Sequence, residues 1–147
     1  MTKKITIRKG QLGLLSRQGD YYQVLEAGEH RLPWFNVPEV LIVNRDGSEV
    51  PEALAEYLRR FQPEWIERYC LAADLTDVEA GALYANGVLQ EILPPSTRRL
   101  YWSAGDEIQL LRIDTRQVAV PADIMNAVLQ PRRHGAVKGR EIGRAHV

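Results

Sequence analysis

The chain has 147 residues, which is enough for one ordinary domain or two very small ones. Its 19 basic residues balance its 19 acidic ones, and this net charge of zero argues against nucleic-acid binding by bulk electrostatics. A single cysteine, Cys70, excludes an internal disulfide framework and a thiolate-rich zinc site. Because no apolar run approaches the ~18 residues of a membrane span, we expect a cytoplasmic protein.

The first half of the chain predicts short strands followed by one helix. A turn at Gly19 separates two strands, and a further strand ends at Trp34. Residues 52–61 have helical spacing, with Leu54, Tyr57, Leu58 and Phe61 on the inward face. Pro51 suits the first helical turn and Pro63 ends the helix. The two strands beside this turn span residues 12–15 and 21–25, and further strands are predicted over residues 5–7 and 40–43.

The second half predicts the same succession of elements. Residues 65–75 are ambiguous, and we favour a strand over 69–75 because it precedes the next hairpin. Asn86-Gly87 between apolar runs is the strongest short hairpin signal, since both residues tolerate a positive φ. Strands over 88–93, up to Trp102 and over 108–113 follow, and then a helix over 121–129.

A shift of 68 positions aligns residues 13–50 with residues 81–118 without a gap, giving ten identities in 38 positions. We therefore predict two copies of one module. The identical pairs are Gly13/Gly81, Leu15/Leu83, Gly19/Gly87, Leu25/Leu93, Arg31/Arg99, Leu32/Leu100, Trp34/Trp102, Glu39/Glu107, Asp46/Asp114 and Val50/Val118.

The predicted fold class is α+β, mainly β, with two repeated small antiparallel β modules that are each followed by a short helix. The modules with their helices span residues 1–63 and 64–131. Residues 132–140 are a basic linker with four cationic side chains. Residues 141–147 can be reverse-translated into a short-read sequencing adapter followed by a stop codon, so we expect this tail to be an artefact outside the fold.

Candidate chemistry is sparse, and we assign no catalytic, cofactor-binding or metal-ligating residue. His30 has no nucleophile or second acid near it in sequence, and its counterpart at the shift of 68 is Arg98, so a surface or structural role is expected. Cys70 has no sequence neighbour that would lower its thiol pKa, which predicts an ordinary buried strand cysteine. No phosphate-binding loop, zinc-protease or serine-hydrolase motif is present in the sequence.

The repeated aromatic and charged residues also favour structural roles. Trp34 and Trp102 are predicted to be the core anchors of their modules, although a ligand-binding platform remains an alternative. Arg31 and Arg99 are expected to lie beside these rings or to pair with acids. The repeated acids are expected in strand-end turns and salt bridges, and they comprise Glu39, Glu107, Asp46 and Asp114.

The first module resembles the start of an SPFH domain (band 7, stomatin/prohibitin-like), and it is most similar to the N-terminal region of bacterial slipins. The resemblance is carried by residues 9–15, by Gly19, by residues 24–34 with their V-L-x-x-G-x-H pattern, and by the strand from Val40 to Asp46. The match extends over residues 13–46 and is weaker over 81–118, where Ser96, Arg98 and Tyr101 replace the glycine, histidine and proline.

This resemblance implies a non-enzymatic scaffold that forms homo-oligomers at membranes and organises or regulates membrane-protein partners such as proteases. No cofactor and no nucleic-acid partner are expected, given the absence of cofactor motifs and the net charge of zero. The membrane-inserted segment and the long assembly helix of such proteins have no counterpart in this sequence, so the chain is expected to be a fragment, membrane-associated in its full-length form. The alternative is a soluble β-rich peptide- or ligand-binding module that uses the Trp/Arg face.

Overall fold

The computed structural model describes residues 2–105 and 107–116. The chain is mainly β, with antiparallel sheets and two helices in its described part, as predicted. It divides into two compact units, and the first ends at Ser48 while the second begins at Glu49. The predicted boundary after residue 63 therefore differs from the observed division. The predicted helix over 121–129, the linker over 132–140 and the tail over 141–147 lie outside the described residues.

The first unit contains five strands in two antiparallel sheets. The first and fourth strands form one pair, and the second strand lies between the third and the fifth. Pro38 is buried just before the fifth strand, whereas the other four residues that join the fourth and fifth strands are exposed. The strands are β1 (Thr2–Ile7), β2 (Gln11–Arg17), β3 (Asp20–Leu25), β4 (Gly28–Pro33) and β5 (Glu39–Asn44).

The second unit begins with two helices. Helix α1 spans Glu52–Phe61, the predicted bounds, and Pro51 is its N-cap. Of its predicted inward residues, Leu58 is fully buried, but Phe61 is exposed. Helix α2 (Pro63–Tyr69) was not predicted: Pro63 ends the first helix and also occupies the first turn of the second, where a missing N–H costs nothing.

Five more strands complete the described part of the second unit. Strand β6 confirms the preference for a strand near residues 69–75, although it is two residues shorter. The pairing order repeats that of the first unit, with β6 against β9 and β7 between β8 and β10. The strands are β6 (Cys70–Asp74), β7 (Glu79–Ala85), β8 (Val88–Leu93), β9 (Arg98–Trp102) and β10 (Ile108–Asp114).

Each unit contains the predicted two-residue hairpin at the same place. In the first unit the turn residues Gln18 and Gly19 both have positive φ, at 54° and 85°. In the second unit Asn86 and Gly87 have φ of 51° and 80°. Positive φ at both positions is what a type I′ turn requires, and its twist matches that of the flanking strands.

The strand registers of the two units match, but not at one constant shift. Lys3 pairs with Leu32 and Leu71 pairs with Tyr101, which are shifts of 68 in the first strand and 69 in the fourth. Similarly, Leu15 pairs with Val40 while Leu83 pairs with Leu110, which gives a shift of 70 in the fifth strand. The second unit therefore has one extra residue before β9 and another before β10.

The hydrophobic cores confirm these shifts, because equivalent positions are apolar in both units. Gly13 lies against Ile7 and Val40, and Gly81 lies against Leu75 and Leu110, which are the matching residues. The first core contains Ile5, Ile7, Leu15, Leu25, Leu32 and Val40. The matching residues of the second core are Ala73, Leu75, Leu83, Leu93, Tyr101 and Leu110.

The shift of 69 corrects the predicted equivalence of Trp34 and Trp102. At this shift Leu32 corresponds to Tyr101, and Pro33 corresponds to Trp102. Since successive strand residues point to opposite faces, a change of one residue places Trp102 on the opposite face from the one that the ungapped alignment predicts. Trp102 is 3% exposed and is a core residue, as predicted, whereas Trp34 is 60% exposed, so its prediction as a core anchor is wrong.

Helix α1 packs on the second unit's sheet pair β6–β9, and the described residues of the first unit form no corresponding helix. Leu100 and Trp102 lie on the face of β9 opposite the core residue Tyr101, and both are buried. Helix α1 contacts β9, and the Val50 amide just before the helix donates to the Leu100 carbonyl at 2.8 Å. Within the described part of the chain, neither helix has the length and apolar character that crossing a bilayer would demand.

Candidate docking surface

The connection between β4 and β5 exposes two consecutive aromatic rings. Residues 34–38 have the sequence Trp-Phe-Asn-Val-Pro, and we call them the aromatic loop. Phe35 is 71% exposed, still more than Trp34, and Val37 is also exposed. Asn36 has a φ of 55°, a left-handed conformation that asparagine tolerates better than most residues. The loop thus presents its large apolar side chains outward.

An arginine from the β2–β3 hairpin supports the aromatic loop. The Arg17 guanidinium donates to the Asn36 carbonyl at 3.3 Å. The same guanidinium lies 5.0 Å from the centroid of the Tyr22 ring, within range of a cation–π interaction. Because Tyr22 is also exposed, Arg17 joins a third aromatic ring to the loop.

Further charged side chains lie near the aromatic loop. Arg31 precedes the loop by three residues, and its guanidinium donates to the Thr2 hydroxyl at 3.3 Å. Thr2 pairs with Pro33 at the end of β4, so this contact directs Arg31 toward the loop. Lys3 is paired with Leu32 on the adjacent strand. The acidic residues at this end are Asp20, in the hairpin, and Glu39, which starts β5.

The corresponding connection of the second unit has a different chemistry. Counting from the paired strands, Ser103 and Ala104 take the positions of Trp34 and Phe35. The Glu107 carboxylate accepts hydrogen bonds from the Ala104 amide at 2.7 Å and from the Ser103 hydroxyl at 3.2 Å. Burial raises the pKa of Glu107, but these bonds outweigh it and the net shift is downward. The connection between β9 and β10 is therefore stabilised by hydrogen bonds to Glu107, and its sequence contains no aromatic residue.

A cleft in the second unit is a second candidate site. It has a volume of about 290 Å³ and lies between α1 and β9, with Val50, Ala55 and Leu100 among its lining residues. Its two arginines, Arg98 and Arg99, are both in ion pairs, so the cleft offers little uncompensated charge.

The ion pairs of the cleft form a small network. Arg98 pairs with Glu56. Arg99 lies 3.2 Å from Glu91, 3.8 Å from Glu49 and 3.3 Å from the Tyr101 hydroxyl. Its bond to Tyr101 is the main reason that the pKa of Arg99 is raised. The pKa of Tyr101 is itself raised by burial, which Arg99 only partly opposes. The expectation that Arg99 pairs with acids is confirmed.

The other residues considered from the sequence do not converge on a site. His30 is half-buried, and its Nε2 lies 2.7 Å from the Glu26 carbonyl, which fits a structural role. Cys70 is half-buried at the start of β6, less buried than predicted. Among the described residues, no group of three or more histidine, cysteine or acidic side chains has the arrangement of a metal site.

Asp46, Glu107 and Asp114 have the turn roles that the sequence predicts, but the repeated acids do not form equivalent pairs. Asp46 accepts from the Ser48 amide at 3.0 Å, and hydrogen bonding from Ser48 lowers the pKa of its carboxyl. Asp114 accepts from the Arg116 amide at 2.9 Å. In the strand register Asp114 corresponds to Asn44, because the fifth strands are shifted by 70.

Sequence reasoning missed most of the aromatic loop. The sequence pattern predicts no binding role for Phe35, Val37, Tyr22 or Arg17, and it predicts a core position for Trp34. The available signal was a pair of adjacent aromatics between two strands, where an alternating pattern would bury at most one of them. No family model, curated protein or solved structure matches this chain.

Proposed function

We propose that the chain is a non-enzymatic SPFH-like scaffold fragment in which the first unit carries the docking surface. The observation that carries this proposal is the aromatic loop. Its exposed rings are absent from the equivalent connection of the second unit, where Ser103 and Ala104 stand in their place. Because the shared strand arrangement does not need these rings, their exposure is better explained by a binding role.

The repeated strand order supports an origin by duplication of one SPFH-like module. The segments that resemble slipins are residues 9–15, Gly19, residues 24–34 and residues 40–46, and they fall on β2, the hairpin turn, the end of β3, β4 and β5. The six core positions that match between the units give further support. In this proposal the second unit has a structural role, with α1 covering a face that stays polar in the first unit.

The scaffold role itself follows from the resemblance. We propose that the full-length protein forms homo-oligomers at membranes and organises membrane-protein partners such as proteases. The aromatic loop would hold the first unit at its docking site, while oligomerisation would multiply that weak contact into stable attachment.

Cell fractionation tests this proposal. The chain is expressed in bacterial cells, and its share in the membrane fraction is compared with that of the double variant Trp34→Ser/Phe35→Ala, which introduces the residues of the second unit. The matched control is Phe61→Ala/Val88→Ser, which removes two side chains of similar exposure from the second unit. We expect only the loop variant to leave the membrane fraction. Equal distribution of all three proteins would contradict the docking role.

The cleft in the second unit favours the alternative function, a peptide- or ligand-binding module. Its apolar floor and charged rim suit a short peptide segment. Amide chemical shifts recorded during titration with a peptide library distinguish the two functions. Shifts confined to Val50, Ala55 and Leu100 would favour the alternative, and shifts in the aromatic loop would favour docking through the first unit.

A further inference from the structure

We infer that the aromatic loop binds directly to the surface of an anionic phospholipid bilayer. Trp34 and Phe35 would insert at the level of the headgroups, and the nearby basic side chains would contact lipid phosphates. The inference rests on the proposed docking role and names its partner: the lipid itself rather than a membrane protein.

The rings of the aromatic loop have the character of an interfacial anchor. Tryptophan combines a large apolar ring with an N–H donor and is enriched at membrane–water interfaces. Trp34 and Phe35 are adjacent and are 60% and 71% exposed. They lie on a connection between strands, and neither lines the cleft of the second unit.

The charges around the loop complement an anionic surface. Three cationic side chains lie at this end of the unit, namely Lys3, Arg17 and Arg31. Two carboxylates, Asp20 and Glu39, oppose them, so the local excess is a single positive charge. Over residues 1–48 the sequence has seven basic and five acidic residues, a net charge of +2. Attraction is therefore modest, and the aromatic rings supply most of the binding.

The second unit provides an internal contrast. Residues 49–147 contain twelve basic and fourteen acidic residues, a net charge of −2. Its equivalent connection carries Ser103 and Ala104 and is closed by the Glu107 carboxylate. This connection carries no aromatic side chain that could insert, and the unit has no net positive charge that would attract an anionic bilayer. Exposed rings on the connection between the fourth and fifth strands thus occur together with a net positive charge in the first unit, and the second unit has neither feature.

Vesicle flotation tests the lipid contact without any partner protein. The full chain is mixed with vesicles of phosphatidylcholine and phosphatidylglycerol, or with vesicles of phosphatidylcholine alone. We expect flotation with the mixed vesicles and weaker flotation with phosphatidylcholine. Trp34→Ser/Phe35→Ala should reduce partitioning by at least about tenfold, whereas Phe61→Ala/Val88→Ser should float like the unmodified chain. Lys3→Glu/Arg31→Glu should lose the preference for the anionic vesicles.

Fluorescence locates the contact independently of flotation. Brominated lipids quench only tryptophans that reach the bilayer, and the chain has three, Trp34, Trp65 and Trp102. We expect partial quenching in the unmodified chain. Trp34→Phe keeps an insertable ring but removes the reporter, so this variant should float normally and lose the quenching. Quenching that persists in Trp34→Phe would overturn the assignment to the loop.

The outcomes separate this inference from the proposed function. If the chain does not float with either kind of vesicle, the lipid inference is wrong. If the loop variant nevertheless leaves the membrane fraction of cells, docking through the loop stands and its partner is a membrane protein. If neither assay depends on Trp34 and Phe35, both proposals are wrong. Melting curves of each variant, which should match that of the unmodified chain, exclude misfolding as the cause.

Discussion

On β1 and β4 of the first unit, the face opposite the core carries Lys4, Glu29 and Arg31, and it remains exposed. On β6 and β9 of the second unit, the same face carries Leu100 and Trp102, and helix α1 contacts this strand pair. The two units thus share their strand pairing and inner core but differ in what the second face contacts. The shared strand arrangement therefore determines which residues form the inner core, whereas the residues on the opposite face of the sheet differ between the two units.

The largest expected effect separates the two tryptophans. Trp102→Ala should destabilise the protein by about 3–5 kcal/mol, because it removes a ring that is 3% exposed. Trp34→Ala should change stability by less than about 0.5 kcal/mol, since its ring faces solvent. Chemical denaturation followed by circular dichroism measures both. Equal losses for the two variants would restore the equivalence that the sequence suggested.

The next prediction tests the matched cores. A Cβ at Gly13 would lie 2.8 Å from Ile7 Cδ1, and a Cβ at Gly81 would lie 3.0 Å from Leu110 Cδ1 and 3.1 Å from Leu75 Cδ1. Gly13→Ala and Gly81→Ala should therefore each cost about 1–3 kcal/mol by overpacking. Similar losses in urea denaturation would confirm that both cores are built alike. A stabilised variant would mean that its neighbours move aside easily.

Turn geometry gives a smaller effect of equal size in both units. Gly19 and Gly87 have φ of 85° and 80°, and a Cβ at either position would meet no atom within 4 Å. Gly19→Ala and Gly87→Ala should each cost about 1 kcal/mol, entirely from the left-handed backbone. Thermal unfolding measures the cost, and Gly19→Asn provides a control, since asparagine tolerates this conformation. A cost confined to one unit would show that the turns differ.

Local patterns predicted much of this fold. The hairpins at Gly19 and Gly87 and the bounds of α1 depend on a few neighbouring residues, so their signals are present in the sequence. The repeated strand order followed from the same local signals occurring twice. Helix α2 was missed because residues 63–69 are short and lack a clear apolar period, and because Pro63 suggested only an end.

The ungapped alignment concealed the exposure of Trp34. Three identities, including Trp34/Trp102, favoured an ungapped match, yet one extra residue before β9 moves each of them to the opposite face. One inserted loop residue does not change the amino-acid composition or the hydrophobic pattern of the strands, so it is detected only from the residue pairing between the strands. Burial, and with it the difference between a core ring and an exposed ring, depends on that pairing.

The smallest expected effect concerns pH and the connection that replaces the aromatic loop in the second unit. Hydrogen bonds from Ala104 and Ser103 stabilise the ionised Glu107 carboxylate and lower its pKa despite the opposing effect of burial. The native state therefore binds a proton at Glu107 less readily than the unfolded state, whose value is near 4.5. This contribution is present above that value and is lost as the pH falls through the lower native pKa.

Glu107→Gln should thus be less stable than the unmodified chain at pH 7 by under about 1 kcal/mol, and the difference should shrink toward pH 3. Denaturation midpoints across this range measure it. If the difference in stability between Glu107→Gln and the unmodified chain is the same at every pH, the charge of the Glu107 carboxylate does not stabilise the connection between β9 and β10.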